Sequence, residues 1–127
     1  MIFSITDTSN QTTDYTNKVA ADDYKVNKTK VEEIWSDGNS EEHRRFKRFR
    51  ITGTFKMRFI HLSDYQAFIA DLESKTTTGG YVLAHIFCVN TQTVESAALF
   101  IDFTSTMRQK KDLTYEVLTL DVTVKER

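Results

Sequence analysis

The chain has 127 residues, no proline, a single cysteine and a formal net charge of −1. That length fits one domain with a real core, in which roughly two-thirds of the unfolded surface is removed on folding. A hydrophobic fraction of 39% with nine Phe and five Tyr excludes wholesale disorder, the lone Cys88 excludes an internal disulfide, and no apolar run approaches the ~20 residues of a membrane helix.

In chain order, Ile2-Phe3-Ser4-Ile5 reads as a short strand. It lacks the basic start and longer apolar run of a secretory signal, so a soluble protein made in a cytoplasm is expected. Residues 6–23 are rich in Asp, Thr, Ser, Asn and Gln, and read as a polar loop or arm. Residues 24–61 read as a long hairpin. Its first limb, Tyr24 to Trp35, alternates weakly, and its turn falls at Ser36-Asp37-Gly38-Asn39, where Asp-Gly tolerates the positive φ of a tight turn. In the second limb Phe49, Ile51, Gly53, Phe55, Met57 and Phe59 alternate with Arg48, Arg50, Thr52, Thr54, Lys56 and Arg58, the pattern of a two-faced strand.

A turn centred on Asp37-Gly38 sets Glu32 and Glu33 opposite His43 and Glu42, with Arg44 and Arg45 close by. Such cross-strand charge pairs contribute only ~0.2–1 kcal/mol each, so they select register more than they stabilise. Phe46 breaks the alternation, which predicts a bulge or the point where the hairpin leaves the domain body. The charge is uneven: ten basic against five acidic side chains between Tyr24 and Ile60 leave +5 there and −6 elsewhere. Copies of such a protein can meet with opposite potentials facing.

Residues 62–75 predict the one helix. Tyr65, Phe68, Ile69 and Leu72 give a single apolar face, Ser63 with Gln66 forms a capping box, His61 is placed to help cap, and Thr76 to Gly80 ends it. Residues 81–124 read as core strands. Tyr81 to Val89 is apolar in both phases, Val94 to Phe103 returns after a turn at residues 90–93, Ser105 to Asp112 is a loop with Arg108, Lys110 and Lys111, and Leu113 to Val124 is the last strand with a bulge near Val117-Leu118. The fold class expected is mainly β (α+β): an antiparallel β-sandwich or barrel of about five or six strands, one flanking amphipathic helix and a long projecting hairpin.

Chemistry is sparse. His43 lies beside Glu41 and Glu42, where a surface ion pair is the simple reading and a metal the sharper one; His61 precedes the helix; His85 alternates with apolar residues as a core histidine does. Adjacent carboxylates in extended chain, Asp22-Asp23 and Glu41-Glu42, point to opposite faces. Gly79-Gly80 follows a helix and is no phosphate loop. Cys88 sits in an apolar run as a small buried residue. No catalytic residue, cofactor, metal ligand or small-molecule substrate is assigned, and an enzyme is not expected. Arginines mixed with phenylalanines from Arg44 to Arg58 raise single-stranded nucleic acid as a partner, but Phe49, Phe55 and Phe59 alternate with the arginines and only Phe46 shares the basic face.

The runs Glu33-Ile34-Trp35-Ser36-Asp37-Gly38-Asn39-Ser40-Glu41-Glu42-His43-Arg44, Arg50 to Phe59, Gly80-Tyr81 and Val89-Asn90-Thr91-Gln92-Thr93 together resemble a family of small structural proteins from the tail gene clusters of phages and prophages. The order of elements also resembles the fold shared by tail-tube, tail-terminator and distal-tail proteins. The resemblance implies two packed sheets with a flanking helix, and a hairpin that reaches the next copy of a homo-oligomeric ring, six copies by family likeness. It also implies other tail proteins as partners, a place in the virion, and assembly in the bacterial host cytoplasm. Glu32, Glu33, Trp35, Arg44, Arg45, Phe46, Arg48 and Arg50 are the inter-subunit contacts expected on the hairpin. Two other classes stay open: a β-sandwich carbohydrate or receptor-binding module with Trp35 as its sugar platform, and a nucleic-acid binder, whose affinity would fall steeply with salt.

Overall fold

The protein, as a computed structural model, is described over residues 2–109 and 115–127. Among them seven strands, β1 (Phe3–Thr6), β2 (Thr12–Asp14), β3 (Val19–Ser36), β4 (Glu42–Arg58), β5 (Val82–Cys88), β6 (Thr93–Gln109) and β7 (Tyr115–Glu126), form one antiparallel sheet in the order β2-β1-β5-β6-β7-β4-β3, with one helix, α1 (Leu62–Lys75). The mainly β fold with a flanking helix and a projecting hairpin is what the alternation predicted. Its strands form a single sheet, not the two packed sheets that the resemblance implied, and number seven instead of five or six.

The sheet curls on itself. Edge strand β3 and strand β5 are separated by three strands in the sheet, yet the Val89 amide donates to the Val26 carbonyl at 2.8 Å and the Asn90 side chain bridges both backbone groups of Lys28. The Tyr24 hydroxyl adds a bond to the Phe87 carbonyl, and burial pushes that phenol well above its usual range. The sheet is therefore an almost closed barrel. Its inner face carries Phe3, Ile5, Val26, Ile51, Phe55, Met57, Val82, Ile86, Leu99, Leu120, Val122 and Val124, all buried. Each large apolar side chain so enclosed stabilises by about 1.5–3 kcal/mol relative to exposure.

Helix α1 covers one mouth of this barrel through the apolar face its spacing predicted, with Phe68 and Leu72 buried and Phe68 meeting Tyr15 edge-on at 4.8 Å. Its ends fall at the expected residues, but their capping differs from expectation. His61 occupies the N-cap without a side-chain bond, and so does not cap; no Ser63–Gln66 box forms because the N-cap is His61, two positions before Ser63. The C-terminus closes on Thr76, whose amide and hydroxyl both return to the Leu72 carbonyl, while the positive φ of Gly80 belongs to the following turn.

Residues 6–23, expected as a polar arm, hold β2, a single 3-10 turn (Thr16–Lys18) and the start of β3. Lys75 explains the anchoring. Nearly buried, its ammonium donates to Thr13 Oγ1 at 2.7 Å and pairs with Asp71 at 3.0 Å, while Asp71 also accepts from the Tyr15 hydroxyl. Burial and that carboxylate raise the Tyr15 phenol well above its usual range. This buried polar cluster ties β2 to the helix, a geometry the low apolar content of the segment conceals.

β6 is longer than read, and β7 runs two residues further, to Glu126. β6 runs on to Gln109, through part of the expected Ser105–Asp112 loop, because its pairing with β7 continues past Ser105↔Leu120. The expected bulge is present: Thr106 pairs with Thr119 and Met107 with Val117, leaving Leu118 as the extra residue. Lys110, Lys111, Asp112 and Leu113 lie outside the described residues.

Candidate functional site

β3 and β4 stay paired from Val19↔Met57 out to Ser36↔Glu42, but β7 accompanies β4 only from Thr52 to Arg58. Beyond that limit Thr29–Ser36 and Glu42–Arg50 form a bare two-stranded ribbon, about 26 Å long at ~3.3 Å per residue. Among the described residues both of its edges are unpaired. The β6/β7 hairpin outruns its neighbour at the opposite end of the sheet, past Arg58↔Thr119.

At the ribbon's tip the Asp37 amide donates to the Glu41 carbonyl and the Ser40 amide to the Asp37 carbonyl, while Asp37 Oδ1 accepts the amides of Asn39 and Glu41. The turn sits where Asp-Gly predicted it, but the left-handed residue is Ser40, with φ of 63°, and not Gly38. That longer turn moves the register. Glu32 and Glu33 face Phe46 and Arg45, not His43 and Glu42. The anticipated bulge is there: Val31 pairs with Arg48 and Glu32 with Phe46, so Lys47 is the extra residue.

Alternation along β3 from Val26 through Lys28, Lys30, Glu32 and Ile34, with their β4 partners, continues the core face out onto the ribbon. There Ile34 is 58% exposed, Phe46 56% and Phe49 50%, the two rings meeting at 5.4 Å. Phe49, which its phase assigned to the core, lies one step beyond the last buried residue, Ile51. Between them Glu32 is almost wholly covered. Lys30 holds its Oε1, Arg44 stands 3.7 Å from Oε2, and among the described residues Oε2 has no hydrogen-bond donor.

The other expected contact residues divide. Glu33 pairs with Lys47 at 3.0 Å, a half-exposed bond of the ~0.2–1 kcal/mol kind, and Arg44 pairs with Glu42 at 3.0 Å. Arg45 and Arg48 are exposed and, among the described residues, make no ion pair. Trp35 stacks on His43 at 5.5 Å, one indole face covered and the residue half-exposed. Arg50 is committed within the chain, donating through Nε to the Glu126 carbonyl at 2.8 Å.

The remaining polar clusters offer little geometry for a reaction. The turn brings Asp37, Glu41 and His43 together with one ligand atom from each within 4.8 Å, a donor set suited to a borderline cation. Asp37, however, is already engaged by two amides and by His43 Nε2 at 2.9 Å, and these bonds hold its carboxyl below the usual range. A hollow of about 430 Å³ is open and lined by Asp23, Lys25, Thr54, Phe55, Lys56, Asp121, Val122 and Thr123. His85, expected in the core, faces outward from β5 and bonds Ser96 Oγ at 2.8 Å. Cys88 is fully buried, which pushes its thiol up. Among the described residues no helix is long and apolar enough to cross a membrane.

A second feature had no clear signal in the sequence. Where β3 lies against β1 and β5, Ile2, Val19, Ala21, Tyr24, Phe87 and Val89 line an apolar groove of about 290 Å³. It exists because Ala20 pairs with Lys56 and Lys25 with Thr54, so that residues 21–24 bulge from the ladder with Asp23 at a φ of 60°. Compared with known proteins, the chain matches no family model and no curated protein.

Proposed function

We propose that this protein is a non-enzymatic assembly component, joined to further copies of itself through the β3/β4 ribbon, and that it serves as a structural protein of a phage or prophage tail. The observation that carries the assembly reading is the ribbon itself. A two-stranded ribbon is marginal in water, and this one exposes Ile34, Phe46 and Phe49 on one face and, among the described residues, leaves both edges unpaired. Strand edges of this kind take affinity from backbone hydrogen bonds and specificity from alternating side chains. On the same face Glu32 Oε2 is buried and, among the described residues, lacks a hydrogen-bond donor, at a cost of about 1–3 kcal/mol in the single chain.

The resemblance carried by residues 33–44, 50–59, 80–81 and 89–93 supports the tail assignment, as does the split between a basic hairpin and an acidic remainder. Sedimentation velocity and negative-stain microscopy over rising protein concentration test this reading. Discrete oligomers are expected, and Ile34→Glu is expected to abolish them. A strict monomer at every concentration, with no affinity for tail proteins encoded alongside it, would refute it.

A further inference from the structure

We propose that the outer face of β4 is a binding track for single-stranded nucleic acid, with Trp35 as the platform for one base. From Arg48 to Arg58 the outward side chains alternate with the buried Ile51, Phe55 and Met57, and are Arg48, Arg50, Thr52, Thr54, Lys56 and Arg58. The extra residue at Lys47 extends this row. Unbroken alternation would put Phe46 on the basic face, which is where the sequence alone places it. With the bulge, Arg45 pairs with Glu33 and His43 with Trp35, both in phase with Val31 opposite Arg48. Phe46 is thereby sent to the apolar side, and Arg45 and Trp35 join the other cations.

Arg45, Arg48, Lys56 and Arg58 lie along about 40 Å of β4 at ~3.3 Å per residue. Lys25 on β3 and Lys125 on β7 flank the middle of the row, opposite Thr54 and Thr52. None of the six has an ion pair among the described residues. Carboxylates on this face stay outside the β4 row: Glu33 is taken by Lys47 at 3.0 Å, and Asp121 and Asp23 flank Lys56 across the open hollow. A line of cations one strand wide, with hydroxyls and no carboxylate within it, suits a linear repeating anion such as a phosphate backbone. The indole favours nucleic acid over an acidic protein. Trp35 is 49% exposed on the same face and braced on one side by His43 at 5.5 Å, which leaves indole surface for a base. A cationic track beside an aromatic ring is how single strands are held, and only an unstacked base can reach one ring, which selects a single strand over a duplex. The track lies on the side of the ribbon opposite Ile34, Phe46 and Phe49, and does not depend on the assembly reading.

Anisotropy of a labelled oligothymidylate and the emission of Trp35, the chain's single tryptophan, test the track and the platform separately. At low salt the full-length protein is expected to bind with quenched emission. Its affinity should fall with salt at a log–log slope near −4, about −0.7 for each of the six cations. Arg45→Ala/Arg48→Ala and Lys56→Ala/Arg58→Ala are each expected to reduce the magnitude of that slope by about 1.4. Trp35→Ala should weaken binding at least ~5-fold with the slope unchanged, as loss of one stacked base does. Circular dichroism checks that each variant keeps the fold, and Ile34→Glu, altered on the opposite face, should keep the slope, which separates the track from assembly. No binding at low salt, an unchanged slope in both folded double variants, or unquenched emission overturns the proposal. So does tighter binding of a duplex of the same length, or poly-glutamate that displaces the labelled strand as well as unlabelled oligothymidylate does.

Discussion

Replacing Gly53 by alanine separates local propensity from packing, because the two predict opposite signs. Glycine within a strand is worse than alanine by roughly 0.5–1 kcal/mol, so propensity alone makes Gly53→Ala stabilising. The structure says otherwise. A Cβ on Gly53 would stand 2.6 Å from the Val26 Cα and closer still to the Lys25 carbonyl oxygen, both backbone atoms without rotamer freedom. β3 would have to withdraw by about an ångström or more at the point where the Val26 carbonyl and the backbone of Lys28 are tied to Val89 and Asn90. Overpacking of this sort costs about 1–3 kcal/mol, and each seam hydrogen bond lost adds about 1 kcal/mol. The expected destabilisation is about 3–5 kcal/mol, a large part of the ~5–15 kcal/mol that holds a domain together. Urea unfolding followed by far-ultraviolet circular dichroism measures it. A variant as stable as the unaltered protein, or more so, would refute the close approach of β3 to β4 and with it the closed seam.

Three other outcomes follow from single sites. Lys75→Met leaves the Asp71 carboxylate half of a mostly buried pair, and should cost about 2–4 kcal/mol in the same unfolding assay and loosen β2; a change within 0.5 kcal/mol would show that the cluster does not anchor that strand. Asp37 has its folded pKa depressed below 3.8, so its contribution to the turn is present above that pH and lost as pH falls through the lower folded value. Amide signals of Asn39 and Glu41 should therefore shift with a midpoint below 3.8, and a midpoint at or above it would contradict the turn geometry. Cys88, buried and with its thiol pKa raised, should resist iodoacetamide in the folded protein and react once urea unfolds it; fast labelling of the native state would place it outside the core.

What the sequence made legible follows the apolar pattern closely. Tyr65, Phe68, Ile69 and Leu72 fix α1 to its observed ends, Leu62 and Lys75, and the breaks in alternation at Phe46 and at Val117-Leu118 mark two observed bulges. Segments whose order comes from polar contacts were opaque. β2 exposes its side chains at an edge and is held by Lys75 from sixty residues away, so no local signal distinguishes it from a loop. The hairpin register was misread because the turn closes through Asp37 and Glu41 with Ser40 left-handed, a choice among turn types that Asp-Gly alone does not decide. For the candidate surface, the expected residues do share one ribbon, but Arg50 is taken by the C-terminal strand. Phe49 and the groove at residues 19–24 emerged only once the sheet's extent and its bulge were known.

Hydrogen exchange at the free edge of β3 tests the central claim most directly. The amides between Thr29 and Ser36 that point away from β4 have no partner strand within the described chain. Assembly through the ribbon predicts that their exchange slows as protein concentration rises and returns to the fast, monomer rate in Phe46→Ala/Phe49→Ala. Exchange that stays fast while sedimentation shows oligomers forming, or stays slow at the lowest concentration, would contradict it.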